Sequence, residues 1–173
     1  MASQGRAETD YVKFLQPDAL KGARIGVARD FFGKNDRVDR AIDEALAAMK
    51  DAGAVLVDPV QIRHHASLDT SELEVLYYEL KADLDAYLRT AGTGARVRSL
   101  KDAIEFNERN AAREMPYFGQ EHFLAAQKKG PLTDAEYRRA VARNRKFARV
   151  EGIDTTLAKH RLDAISKAWV KSR

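Results

Sequence analysis

Met115-Pro116-Tyr117-Phe118-Gly119-Gln120 is the segment best composed for holding a small molecule. A proline fixes the backbone, a glycine frees it, and two aromatic rings stand beside one carboxamide. Ligand pockets have this mixture, mostly apolar with a few placed polar groups. Tyr117, Phe118 and Gln120 are therefore candidate substrate-binding residues of a pocket wall. The same rings would also serve as a plug seating one helix against another, and for Tyr117 and Phe118 that packing role is favoured. Nucleophilic chemistry would need an activated serine. The serines are Ser3, Ser67, Ser71, Ser99, Ser166 and Ser172; none has a serine neighbour and none sits in a Gly-rich loop. The absence of cysteine excludes disulfides, thiolate catalysis and Cys-ligated zinc.

Three further patterns receive plain readings. His64 and His65 are adjacent, with Asp58 and Asp69 nearby, but neighbours on a strand point to opposite faces. His122 and His160 lack a convincing ligand one helical turn away, so all four are expected to be surface histidines and no metal is called. Gly92-Thr93-Gly94 follows a helix and lacks the later glycine and Lys-Ser/Thr of a phosphate loop, so it reads as a flexible loop. Arg138, Arg139, Arg143, Arg145, Lys146 and Arg149 crowd residues 134–149 opposite Tyr137, Val141 and Phe147. Such a helix can touch phosphates, but a solvated polar face is the favoured reading.

These residues must be carried by regular elements. The sequence 10–21 is apolar but broken by Pro17, a short lead-in. RIGVAR (24–29) reads as a buried strand, and Val38, Ile42, Ala45, Leu46 and Met49 share one helical face. Asn35 or Asp36 can cap that helix and Gly53 can close it. AVLVDPV (54–60) is a second strand, giving a βαβ unit with parallel strands and a right-handed crossover. After residue 68 the chain is expected to be mainly helical, and those helices would cover the sheet. Leu73, Leu76, Tyr77, Leu80, Leu84, Tyr87 and Leu88 line the first of them. Ser99 with Asp102 and Thr133 with Glu136 form capping boxes. A short helix spans 120–129, Gly152 is placed to kink or split the long one, and LDAI (162–165) starts a last buried strand. The fold class is α/β, helix-rich, a βαβ unit plus helices. Three strands under five helices make a thin sheet, better understood as part of a larger one.

With 173 residues, length favours one core over two. A 45% hydrophobic and 32% charged composition is that of a globular chain. Thirty basic residues face twenty-six acidic ones, interleaved, for a net charge of +4, which does not demand a nucleic-acid partner. No apolar run approaches the ~20 residues of a membrane helix, and no secretory h-region opens the chain. No membrane association is expected, and cytoplasmic is the default localisation.

VLYYELKADLDAYL (75–88), SLKDAIEFNERNAAREMPYFGQEHF (99–123) and ARNRKFARVEGIDTTLAKHRLDAI (142–165) together resemble the C-terminal portion of the amidase-signature family. The resemblance begins at DYVKFLQPDALKGARIGV (10–27) and ends at Ile165. It implies an α/β/α fold whose mixed sheet is here incomplete, and hydrolysis of a carboxamide to acid plus amine or ammonia. The family's Ser–cis-Ser–Lys triad needs a Gly/Ser-rich loop that is absent, so no catalytic residue is carried over. No metal or organic cofactor is implied. Residues 1–9 are expected to be a disordered leader, 10–165 a partial amidase-like domain, and 166–173 a tail departing from the family pattern, as a truncated fragment would show. The chain is expected to be inactive alone, with a small amide as substrate only in the complete enzyme and self-association through exposed apolar surface. The alternative is a non-enzymatic helical binding module using the basic 134–149 helix.

Overall fold

In the computed structural model, residues 5, 7–92 and 94–168 are described. The chain divides into two units, one of residues up to 63 and from 152 onward, the other of residues 64–151. Two clusters of buried side chains are present, one in each unit, where length alone favoured one. The expected leader and tail lie partly outside the described residues. Within them, Glu8 pairs with Lys13 at 2.6 Å, and Ala168 is buried.

The first unit is built on a parallel sheet of order β2-β1-β3. Strand β1 (Arg24–Ala28) sits in the centre, with β2 (Val55–Val57) and β3 (Ala164–Lys167) beside it. The register aligns Arg24 with Val55 on one side and Ile25 with Ala164 on the other. Helix α1 (Asp36–Asp51) crosses between β1 and β2, capped by Asn35, whose side chain accepts the amides of Arg37 and Val38. Gly53, at φ +95°, turns the chain out of that helix, and its Cβ position would lie 3.2 Å from Lys21 Cα. Ala28, Val60 and Leu162 form the core, with Phe31, Val57, Ile62, Leu157 and Ile165 packed against them. β3 is not the buried strand expected from LDAI: Ala164 is exposed, and the buried member is Leu162, just before the strand.

An ion-pair cluster ties α1 to the residues that directly follow β1 and β2. The Arg29 guanidinium donates to Asp58 through Nε (2.9 Å to Oδ1) and Nη2 (2.6 Å to Oδ2), and to Asp43 through Nη1 (2.7 Å). Hydrogen bonding to Asp58 and Asp43 raises the Arg29 pKa, and the guanidinium lowers that of the Asp58 carboxyl from its ordinary 3.8. The sign follows directly. The unfolded chain takes up a proton at Asp58 at higher pH than the folded chain does, so this contribution is present above pH 3.8 and is lost as pH falls through the folded value. Thermal melts across pH 2–5 are expected to show an acid limb that is shallower in Asp58→Asn. Identical limbs would remove Asp58 from the acid response.

The second unit is helical. Its long element is α2 (Asp69–Arg89), followed by α3 (Leu100–Arg109), α4 (Ala111–Glu114), α5 (Glu121–Gln127) and α6 (Ala135–Asn144). These helices enclose a core of their own, Leu100, Ile104 and Ala126, with Tyr77, Leu80, Leu84 and Phe123 packed on it. Ser99 caps α3 as expected, its hydroxyl accepting the Asp102 amide at 3.1 Å, while Asp102 accepts the Arg98 amide. Leu73, Leu76 and Tyr87 are exposed, whereas Tyr78, outside the expected apolar face, is buried. The reason is that α2 is packed by more than one partner: α6 contacts it as well as α5 and α3.

The second capping box does not form, and Tyr78 takes up the acidic groups at the start of α6. Its hydroxyl donates to Glu136 at 2.9 Å and approaches Asp134 at 3.3 Å. Asp134, not Thr133, is the N-cap of α6. Burial, then the bond to Glu136, holds the Tyr78 phenol well above its usual range. Lys129 pairs with Glu74, Lys81 Nζ donates to the carbonyls of Gln127 and Lys129, and Tyr137 donates to Glu79 at 2.8 Å. Beyond α6, Arg145–Asp154 is π-helical and includes Gly152, and α7 is Thr155–His160.

Candidate functional site

The turn between α4 and α5 carries the residues singled out for binding. Gln120 is braced to α3: its Nε2 donates to Ile104 O at 3.3 Å and its Oε1 accepts from Asn107 Nδ2 at 3.2 Å. Phe118, Gly119 and Gln120 line a cleft of about 270 Å³ with Asn107, Met115 and Phe123. Glu114 and His122 also border it, and His122 Nδ1 shares a hydrogen bond of 2.8 Å with Tyr77 OH. The cleft thus brings together Phe118 and Gln120 but not Tyr117. At 88% and 85% exposure, Tyr117 and Phe118 do not plug a helix contact, which corrects the packing reading of both. His122 is exposed, as the surface reading expected; its place beside the cleft was not foreseen, because its partner Tyr77 is 45 positions away.

No serine lines that cleft. Ser67 Oγ donates to His64 O at 2.9 Å, Ser71 Oγ lies 3.1 Å from Leu68 O and 2.7 Å from Asn144 Oδ1, and Ser99 serves as a cap. Ser166 lies in β3, and Ser3 and Ser172 lie outside the described residues. His64 is not on a strand; it holds φ 63° and stacks on Phe147 at 4.7 Å, with Nε2 3.3 Å from Glu151. Among the described residues no group of three or more His, Asp or Glu is placed to hold a metal ion. None of the helices described is long and apolar enough to cross a membrane. The Gly92–Gly94 loop includes Thr93, outside the described residues.

The basic residues of 134–149 are all exposed, but they span two helix types, so their angles do not follow one α-helical wheel. Arg143 and Lys146 both lie over the Phe147 ring, at 5.1 and 5.5 Å from its centroid, and Lys146 lies 3.4 Å from Glu151. Part of the positive face is therefore spent on local partners.

No family model matches the chain. The native peptide amidase of Stenotrophomonas maltophilia superposes on it with a TM-score of 0.80 at 37% identity, covering 95% of this chain and 34% of that one. A peptide amidase bound to the competitive inhibitor chymostatin gives 0.83 at 38% identity, with the same coverage. The chain belongs to the amidase-signature family. An Arthroderma benhamiae protein named as an amidase is 31% identical over 162 residues, 90% of this chain and 27% of that protein. A glutamyl-tRNA(Gln) amidotransferase polypeptide of Clostridium kluyveri matches over 102 residues at 32% identity, 55% of this chain and 19% of that protein. The chain thus spans about a third of the length of the amidases it matches, consistent with a C-terminal portion of the family fold. The helix-rich α/β class agrees with that assignment.

Proposed function

We propose that this chain is a supporting segment of an amidase-type hydrolase and does not hydrolyse amides alone. One observation carries the reading: the match to amidases runs through 95% of the chain, yet amounts to 34% of a peptide amidase and brings no Gly/Ser-rich nucleophile loop. The reaction of the complete enzyme would be addition of water across a carboxamide C–N bond, giving acid plus amine or ammonia. In the family the acyl group passes through a serine; this sequence would contribute scaffold and, through Phe118 and Gln120, part of a pocket wall. Phe118 offers apolar surface and Gln120 is already held in place by α3, so their roles would be to position a substrate. The substrate class proposed is a small or peptide-like carboxamide. A cytoplasmic setting belongs to the same proposal and rests on composition.

The test is ammonia release from a peptide amide by the purified 173-residue chain. No turnover is expected. Activity that survives purification and is abolished by a serine-directed reagent would overturn the reading. Tyr11, Val12, Phe14 and Leu15 of the first unit and Leu73, Leu76 and Tyr87 of the second are exposed. Self-association is therefore proposed as well, read by concentration-dependent sedimentation. The basic-helix binding module is the weaker reading, since Arg143 and Lys146 already engage Phe147.

A further inference from the structure

A second cleft lies wholly in the first unit, with a volume of about 380 Å³. Its lining is Pro59, Val60, Gln61 and Arg63 from the segment after β2, and Thr155, Thr156, Lys159 and His160 from α7. We propose that this cleft binds a small phosphate-bearing anion.

The charge balance is the first argument. Arg63, Lys159 and His160 converge on one cavity, and no carboxylate lines it. Among the described residues neither Arg63 nor Lys159 has an ion-pair partner. Two unpaired cations at one cavity repel each other, and a dianion between them relieves that repulsion. The C-terminal end of α7 would ordinarily disfavour an anion through its bare carbonyls. Here Arg24 removes much of that effect, its Nη2 donating to His160 O at 3.1 Å and its Nε to Arg161 O at 3.0 Å.

The second argument is that the walls are held. Thr156 is buried, and its Oγ1 lies 3.0 Å from Gln61 O and 2.9 Å from Gly152 O, a single hydroxyl proton shared between the two carbonyls. The Val60 amide donates to Val27 O at 2.8 Å, fixing the opposite wall to β1. Arg63 and Lys159 therefore stand on two anchored segments that line one cleft. Arginine offers a planar fork to phosphate oxygens and lysine a point charge. Val60 and Pro59 give apolar floor for an organic appendage, and the volume lies in the ~300–1,000 Å³ range of small-molecule sites. A singly charged carboxylate would leave one cation unmatched, which is why phosphate is favoured.

The experiment is an amide-resolved NMR titration of the full chain with inorganic phosphate, with acetate and chloride at matched ionic strength. Phosphate is expected to move the amides of 60–63 and 155–160 saturably, with acetate and chloride leaving them nearly unmoved. Arg63→Gln and Lys159→Gln are each expected to weaken binding by about tenfold, since each removes one charge-assisted hydrogen bond to the anion. Arg63→Lys and Lys159→Arg should largely retain it, and the spectra report whether every variant is folded. Shifts that survive in the double Gln variant, spread equally to Arg138, Arg139 and Arg143, or are matched by chloride would overturn the site. Equal response to acetate would overturn the phosphate assignment.

Discussion

Leu100→Ala is expected to destabilise the helical unit by about 2–5 kcal/mol, the usual cost of emptying a buried leucine site. Leu100 is fully buried, among Ile104, Ala126, Tyr77, Leu80, Leu84 and Phe123. These neighbours come from three helices, so no single one can move in to fill the space. Its backbone amide is held by Asp85 Oδ1 at 2.7 Å, which fixes the start of α3 and further limits relaxation. Urea unfolding followed by circular dichroism should show an earlier loss of helix. Hydrogen exchange should place the loss of protection in residues 64–151. An unchanged midpoint would mean that the cluster contributes little to that unit.

Gly26→Ala should destabilise the sheet unit by about 1–3 kcal/mol, the range for overfilling a packed core. A Cβ at position 26 would lie 2.5 Å from Leu162 Cδ1 and 3.0 Å from Val60 Cγ2. Both neighbours belong to the core, and β1 cannot shift away because it is paired on each side. Leu162→Ala alone should also destabilise, by opening a cavity. The double variant should cost less than the sum of the two, since the methyl added at 26 enters space vacated at 162. Strict additivity in a thermal or urea double-mutant cycle would argue that the two positions do not share that space.

The elements readable from sequence were those whose determinants are local. The α1 face, its Asn35 cap and the βαβ order lie within residues 24–57 and depend on spacing alone. The second unit was less legible because α2 is packed by more than one partner, which places Tyr78 inside and leaves Leu73 and Leu76 outside. Thr133 and Glu136 have the spacing of a capping box, but the N-cap of α6 falls one residue later, at Asp134, and Glu136 accepts instead from the Tyr78 hydroxyl, 58 positions away. For the candidate cleft, Gln120 was recognisable as a polar group near aromatics, but spacing cannot say whether a ring turns inward. The cleft between the 59–63 segment and α7 was less visible still. Its two walls lie 95 positions apart where Thr156 meets Gln61, and His160 in isolation reads as a surface residue.

The sheet order has a consequence for synthesis. Among the described strands β1 is made first, yet its flank is completed by β3, and the Arg24 amide waits for Asp163, 139 positions later. At ~5–20 residues per second that interval is roughly 7–30 s. Throughout it the nascent chain can pair β1 with β2 on one side only. Vectorial production therefore leaves the β3 side of β1 open to any neighbouring polypeptide until Ala164–Lys167 has been made.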